Sequence, residues 1–202
     1  MTDGQPLLDF ADDMRRLRRE CPWKREQTHR SLARYLQEET AETLEAIDSG
    51  DDAHLREELG DLLLQVYFHA VVAEESGAFT LDDVARGIQD KMHRRNPHVF
   101  GPEAGADELS AAEVDARWQE IKQDEKPRSS PYDGIAPGLS ALLLATKVLE
   151  RAPGAMPPSG SADLGDRLLA LVAEAKESGV DPEQALRDAV RRTVPASAVG
   201  EQ

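Results

Sequence analysis

Apolar residues recur along this chain at spacings of three, four and seven, and no stretch sustains a period of two. Leu7, Leu8, Ala11, Met14 and Leu17 predict an amphipathic helix over residues 6–20, with Arg15, Arg16, Arg18 and Arg19 outward. Cys21-Pro22-Trp23 breaks it. Thr28 is placed to cap a helix running to about Asp48, whose inner face carries Leu32, Tyr35, Leu36, Thr43 and Ile47. After the turn Ser49-Gly50-Asp51-Asp52 a second stripe begins: Leu55, Leu59, Leu62, Leu63 and Val66. This helix is apolar almost all round from Leu62 to Ala73 and ends at Ser76-Gly77, a glycine C-cap signal. Thr80 with Asp83 forms a capping-box pattern opening a helix to about Arg95, which Pro97 stops. Residues 101–108 read as a loop, and Ser110 with Glu113 opens a helix carrying Trp118, Ile121 and Lys122. The predicted fold class is all-α.

Acids interrupt this pattern where they should be expensive. Glu38-Glu39-Thr40-Ala41-Glu42 and Glu57-Glu58-Leu59-Gly60-Asp61 both fall inside the helical stripes. Glu39 lies within the inner face, Glu42 one turn on, Glu58 on the shoulder of the second stripe, and Asp61 beside the most apolar segment. A carboxylate facing a core costs several kcal/mol unless compensated. No lysine or arginine shares these two inner stripes. A hard divalent cation held by carboxylate oxygens is the simplest compensation. Two helices each offering acids at i and i+3 can converge four carboxylates on one or two ions.

Composition narrows the field. The chain has 202 residues, 40% of them apolar, with only 4% aromatics, which favours packed helices in one domain, or one domain plus a smaller piece. No apolar run is long enough to span a bilayer, and the N-terminal stretch lacks a basic-plus-apolar targeting pattern, so no membrane partner is expected. Cys21 is the single cysteine, which excludes an internal disulfide framework and suits a reducing cytoplasm. A net charge of −15 excludes duplex nucleic acid as the partner. It also repels free polyphosphate, so a phosphorylated substrate must arrive with its metal or meet a local basic patch. Lys91, Arg94 and Arg95 supply such a patch.

Residues 126–138 read as a linker, followed by a helix of Leu139, Leu142, Leu143, Ala145, Val148 and Leu149 and a Pro/Gly/Ser-rich stretch over 152–162. Beyond it the chain echoes itself. Asp163-Leu-Gly-Asp166, Leu168 to Val172, Ser178-Gly179 and Asp181 to Arg192 follow the order of Glu58-Leu-Gly-Asp61, its apolar helix, Ser76-Gly77, and Thr80 to Lys91. We read residues 139–195 as a degenerate second repeat, because nothing in it matches Glu38-Glu39-x-x-Glu42. The organisation is then a first domain over 1–125, a linker over 126–138, this repeat, and a flexible tail over 196–202.

The order Glu38-Glu39-x-x-Glu42, Glu58-x-x-Asp61 and Lys91-x-x-Arg94-Arg95-x-Pro97-His98-Val99-Phe100 resembles the MazG family of nucleoside triphosphate pyrophosphohydrolases. Cys21-Pro22-Trp23, Glu26-Gln27-Thr28 and Trp118-Gln-Glu-Ile-Lys122 are similar to the same family, strongly over residues 6–125 and weakly in the tail. The resemblance implies an all-α helical bundle completed by dimerisation. It implies Mg²⁺-dependent hydrolysis of nucleoside and deoxynucleoside triphosphates to monophosphate and pyrophosphate, with Mn²⁺ able to substitute. By matching positions, Glu39, Glu42, Glu58 and Asp61 become metal ligands, Lys91 and Arg95 phosphate contacts, and Trp118 a base or ribose contact with Lys122 nearby. Two departures stand out. The second repeat, which carries the activity in some two-repeat members, is eroded here, and Lys24 stands where the family commonly has Asp.

Glu38, on the edge of the metal face, is the candidate general base, with Glu57 the alternative. Plainer readings apply to several residues. The acids could line solvated faces, and a cationic helix end could account for one or two of Lys91, Arg94 and Arg95. Trp118 and His69 could be core, Trp23 a plug between helices, His98 a packing residue and Cys21 inert. Alternative functions are a narrow all-α pyrophosphohydrolase, dUTPase-like or acting on phosphoribosyl-ATP, and a nucleotide-binding regulator without catalysis. A di-iron bundle is disfavoured, since the only Glu-x-x-His pair is Glu26 with His29, at a helix start.

Overall fold

In the computed structural model the described residues are 4–102, 104–105, 109–125, 129–152 and 154–193. The predicted tail over 196–202 and the first linker residues, 126–128, lie outside them. Regular structure among the described residues is helical, as the apolar spacing predicts. The chain divides into two compact units, residues 1–122 and 123–202. No helix among the described residues is long and apolar enough to cross a membrane.

The first unit contains α1 (Gln5–Glu20), α2 (Pro22–Glu26), α3 (His29–Ser49), α4 (Asp52–Ser76), α5 (Leu81–Arg95), α6 (Pro97–Phe100) and most of α7 (Ala111–Asp124). Local chemistry sets the boundaries. The Thr28 hydroxyl accepts from the Ser31 amide at 3.2 Å while the Ser31 hydroxyl accepts from the Thr28 amide at 2.9 Å, which starts α3. The Asp51 carboxylate accepts from the amides of Ala53 and His54 and starts α4. Gly50 and Gly77 adopt left-handed backbone (φ 70° and 67°), which lets α3 turn back into α4 and α4 into α5. Cys21-Pro22-Trp23 ends α1 as predicted, but Pro22 also serves as the first residue of a short helix, and Pro97 does the same for α6.

Ala11 and Met14 of α1, Leu32 of α3, and Tyr67, Phe68 and Val71 of α4 form the core, with Phe10, Tyr35 and Leu63 packed against it. Two ion pairs fasten α1 to the end of α4. Arg15 donates to Glu74 at 2.9 and 3.0 Å, and Arg18 donates to Glu75 at 2.8 and 2.9 Å. Arg18 was expected outward; it is buried (8% exposed), because its Nη1 group also binds the carbonyls of Lys24 and Gln27 and so holds α2 in place.

Further positions differ from the pattern-based expectation. Leu36, Ile47, Leu59 and Val66, predicted to face a core, are exposed in the single chain, because other elements cover only part of the α3–α4 pair. Trp23, expected as a plug, meets Tyr35 and Phe68 edge-on yet stays 49% exposed. His69, expected to be simple core, is half-buried, and its Nδ1 lies 2.8 Å from Nδ1 of His29. Its Nε2 is buried without a partner. Burial pushes the His69 imidazole below its ordinary pKa, and the neighbouring His29 adds to the effect.

The second unit holds α8 (Ala141–Arg151), α9 (Leu164–Glu177) and α10 (Pro182–Thr193). Leu149, Val172 and Ala173 form its small core, against Leu142, Ala145 and Leu169. Arg151 donates to the Asp133 carbonyl at 2.7 Å, and Ser140 to Glu183 at 2.7 Å. Gly179, again left-handed (φ 70°), separates α9 from α10.

Two outcomes follow from this packing. Arg18→Met keeps the stem but removes every polar contact, and is expected to lower unfolding stability by about 2 kcal/mol, read by urea denaturation. His69 binds fewer protons folded than unfolded, so its contribution is complete above the ordinary histidine pKa of about 6.5 and is lost as pH falls through its lower folded value. Denaturation midpoints between pH 7.5 and 5.5 should therefore decline in the wild type, and His69→Phe should flatten that decline.

Candidate metal centre

Antiparallel pairing of α3 and α4 about Gly50 determines which acids meet. Glu39 and Asp61 lie equally far along the chain from Gly50, one on each side, and so do Glu42 and Glu58. Glu39, Glu58 and Asp61 each place an oxygen within 4.8 Å of the others. Glu58 is buried (8% exposed). One of its oxygens faces His54 Nε2 at 3.1 Å, and the other, Oε2, is buried with no hydrogen-bond partner. Gln65, also buried, donates to Glu39 at 3.4 Å.

The electrostatics are those of unneutralised acids. Burial pushes the Glu39 carboxyl above its usual range; Asp61 and then Glu42 push it further, the Gln65 hydrogen bond opposes, and Glu58 adds a smaller push. An all-carboxylate donor set with an orphaned buried oxygen fits a hard, oxygen-seeking divalent cation such as Mg²⁺ or Mn²⁺. Glu42 is exposed and outside the three-residue cluster, although its charge reaches Glu39. Glu38 and Glu57 are both exposed, with Glu38 close enough to act on Arg34.

The basic and aromatic residues form a second grouping. The Arg95 guanidinium and the Lys122 ammonium each lie 4.8 Å from the Trp118 ring centroid. Arg95 is buried (9% exposed), and Lys91, one turn earlier on α5, is half-buried. α5 returns along α4, and Leu63 and Val66 share an open groove with Val84 and Ile88. That path brings the Lys91–Arg95 end of α5 back in the direction of Asp61. Pattern reading missed His54 and Gln65. Both were detectable as polar residues one helical turn from a predicted ligand: His54 before Glu58, and Gln65 after Asp61 in an otherwise apolar stretch.

Residues 27–100 match the model of the MazG nucleotide pyrophosphohydrolase domain. The chain is 43% identical over 193 residues to the "uncharacterized 26.1 kDa protein in blaB 3'region" of Streptomyces cacaoi, covering 92% of this chain and 78% of that protein. It is 39% identical over 201 residues to the nucleoside triphosphate pyrophosphohydrolase/pyrophosphatase MazG of Thermotoga maritima, covering 86% of this chain and 76% of that one. It is 43% identical over 189 residues to the nucleoside triphosphate pyrophosphohydrolase of Mycobacterium tuberculosis, covering 93% of this chain but 55% of that protein.

Asp61→Asn separates the charge account from a structural one. Removing one of the repelling charges on Glu39 should raise the melting temperature measured in chelator, while the stabilisation produced by added Mg²⁺ shrinks. A variant less stable in chelator and still fully stabilised by Mg²⁺ contradicts the assignment.

Proposed function

Because this chain belongs to the MazG nucleotide pyrophosphohydrolase family, and is an enzyme of that class, we propose that it hydrolyses nucleoside and deoxynucleoside triphosphates between the α and β phosphates, releasing monophosphate and pyrophosphate. The observation that carries the reading is the cluster of Glu39, Glu58 and Asp61, with a buried Glu58 oxygen that nothing among the described residues satisfies. We assign these three carboxylates, with Glu42 reaching in from one turn on, to holding Mg²⁺, for which Mn²⁺ can substitute. Such an ion supplies charge neutralisation across the phosphates and a lowered pKa for attacking water.

The chain's own groups divide the remaining work. His54 and Gln65 fix the orientation of Glu58 and Glu39 through the contacts described above. Glu38, exposed at the edge of the cluster, takes the proton from water as the oxygen–phosphorus bond forms and the bridging phosphoanhydride bond breaks; Glu57 is the alternative base. Lys91, Arg95 and Lys122 meet the polyphosphate, and Trp118 holds Arg95 and Lys122 in place while meeting the sugar side of the substrate. A triphosphate can thus bind in a chain of net charge −15 because cations are concentrated at one place on it.

Two features of the assembly belong to the same proposal. Exposed Leu36, Ile47, Leu59 and Val66 are the residues a second copy covers when the bundle is completed as a homodimer. Residues 1–125 carry the activity and 139–195 act as a degenerate repeat, since the one acid of α8, Glu150, is paired with Lys147 and α8 has no counterpart of Glu38-Glu39-x-x-Glu42 to set against the acids of α9. Substrate class and the lone cysteine fit a cytoplasmic enzyme.

Product analysis tests the reading. With Mg²⁺, nucleoside triphosphates should yield monophosphate and pyrophosphate; nucleoside diphosphate and orthophosphate, or binding without turnover, contradict it. Glu58→Gln should reduce kcat/KM about a thousandfold, equivalent to about 4 kcal/mol of transition-state stabilisation.

A further inference from the structure

A second aromatic and cationic surface lies beside the carboxylate cluster, and the roles assigned so far leave it unused. Trp23 packs edge-on against Tyr35 (centroids 6.0 Å apart) and Phe68 (6.5 Å), yet half of it remains exposed. The Lys24 ammonium lies 5.5 Å from the Trp23 ring centroid and 5.0 Å from that of Phe68. The Arg34 guanidinium lies 4.4 Å from the Tyr35 centroid and donates to the Tyr35 hydroxyl. In a chain of 39 acids and 24 Lys and Arg residues, the Lys24 ammonium rests on rings, and no ion pair is formed with it among the described residues.

The surface adjoins the metal centre through both of its helices. Tyr35 precedes Glu39 by one turn of α3, about 6 Å along the axis. On α4, Phe68 follows Gln65 by three residues, and Gln65 is hydrogen-bonded to Glu39. A nucleotide whose phosphates meet an ion held by Glu39, Glu58 and Asp61 can therefore lay its base toward Trp23. Trp118 is half-buried and its ring already carries two cations at 4.8 Å, whereas Trp23 is half exposed and carries one, Lys24, at 5.5 Å.

We propose that Trp23, braced edge-on by Tyr35, is the ring on which the nucleobase stacks, and that Lys24 makes this platform select bases whose edges present oxygen acceptors. Base–aromatic stacking tolerates any base, so selection has to come from the polar groups at its rim. Lys24 Nζ is a donor with no acceptor capacity. It matches O6 and N7 of guanine and O4 of uracil or thymine, and it opposes the amino groups of adenine and cytosine. The substrate class is therefore oxo-base nucleoside triphosphates. This inference rests on the pyrophosphohydrolase reading and adds a specificity-determining residue to it.

The test is a four-nucleotide panel (GTP, UTP, ATP, CTP) with pyrophosphate release as readout, run on wild type, Lys24→Asp and Lys24→Met. Wild type should favour GTP and UTP over ATP and CTP by about tenfold or more in kcat/KM. Lys24→Asp, which replaces a donor by an acceptor, should shift the ratio toward ATP and CTP. Lys24→Met, which keeps the stem on Phe68, should flatten it without reversal. In a Trp118→Phe background Trp23 is the sole tryptophan, and GMP should quench its emission more strongly than AMP does. A wild-type panel without the oxo-base preference, or ratios unmoved by both Lys24 variants, overturns this inference and leaves the family activity standing. No pyrophosphate from any of the four nucleotides overturns the activity itself.

Discussion

Mutual repulsion among carboxylates that cannot leave the inner side of α3 and α4 is the constraint on which this molecule is built. Glu39, Glu58 and Asp61 are held within one ion's reach, and Glu39 is already pushed toward protonation by burial and by its neighbours. Ordinary helix packing has no use for such an arrangement, since apolar residues of similar volume would serve it better. The single buried oxygen of Glu58 without a partner makes the same point at atomic scale, because buried polar atoms are almost always satisfied. Both observations are accounted for by one divalent cation, and a cation held by acids is in turn a means of drawing a polyphosphate onto an acidic protein.

The rest of the first unit serves to keep those acids opposed. A tight left-handed turn at Gly50 sets the register of α3 against α4, and caps at Thr28 and Asp51 fix where each helix begins. The ion pairs of Arg15 and Arg18 with Glu74 and Glu75 secure the far end of α4, so that the repelling carboxylates sit in the middle of a helix pair braced beyond them. Arg18 also holds α2, and α2 presents Trp23 and Lys24. The brace and the aromatic surface are thus one piece of structure. Lys91 and Arg95 come from α5, whose start is fixed by the reciprocal Thr80–Asp83 cap.

Much of this was legible in the amino-acid sequence because its causes are local. Helix starts at Thr28 and Thr80 and stops at Gly50 and Gly77 follow from hydrogen bonds and backbone conformations spanning four residues or fewer. Glu39, Glu58 and Asp61 were readable as acids inside apolar stripes, a contradiction visible without any partner. What escaped depends on partners distant in the chain. Arg18 reads as a solvated cation until Glu75 is brought to it. His69 reads as core until His29 is found across the helix pair, and Trp23 reads as a plug until the structure shows how little covers it. The stripes on α3 and α4 were recognised correctly as apolar, but periodicity says nothing about how much of a stripe one chain covers, and Leu59 and Val66 remain outside.

Calorimetric titration of Mg²⁺ into the full chain at neutral pH, wild type against Glu58→Gln, probes the carboxylate centre most directly. The substitution retains shape and hydrogen-bonding capacity while removing one charge. The account predicts saturable binding in the wild type and at least a tenfold loss of affinity in the variant. Equal affinity in the two proteins, with both still folded, would mean that the acids between α3 and α4 are there for some reason other than a metal.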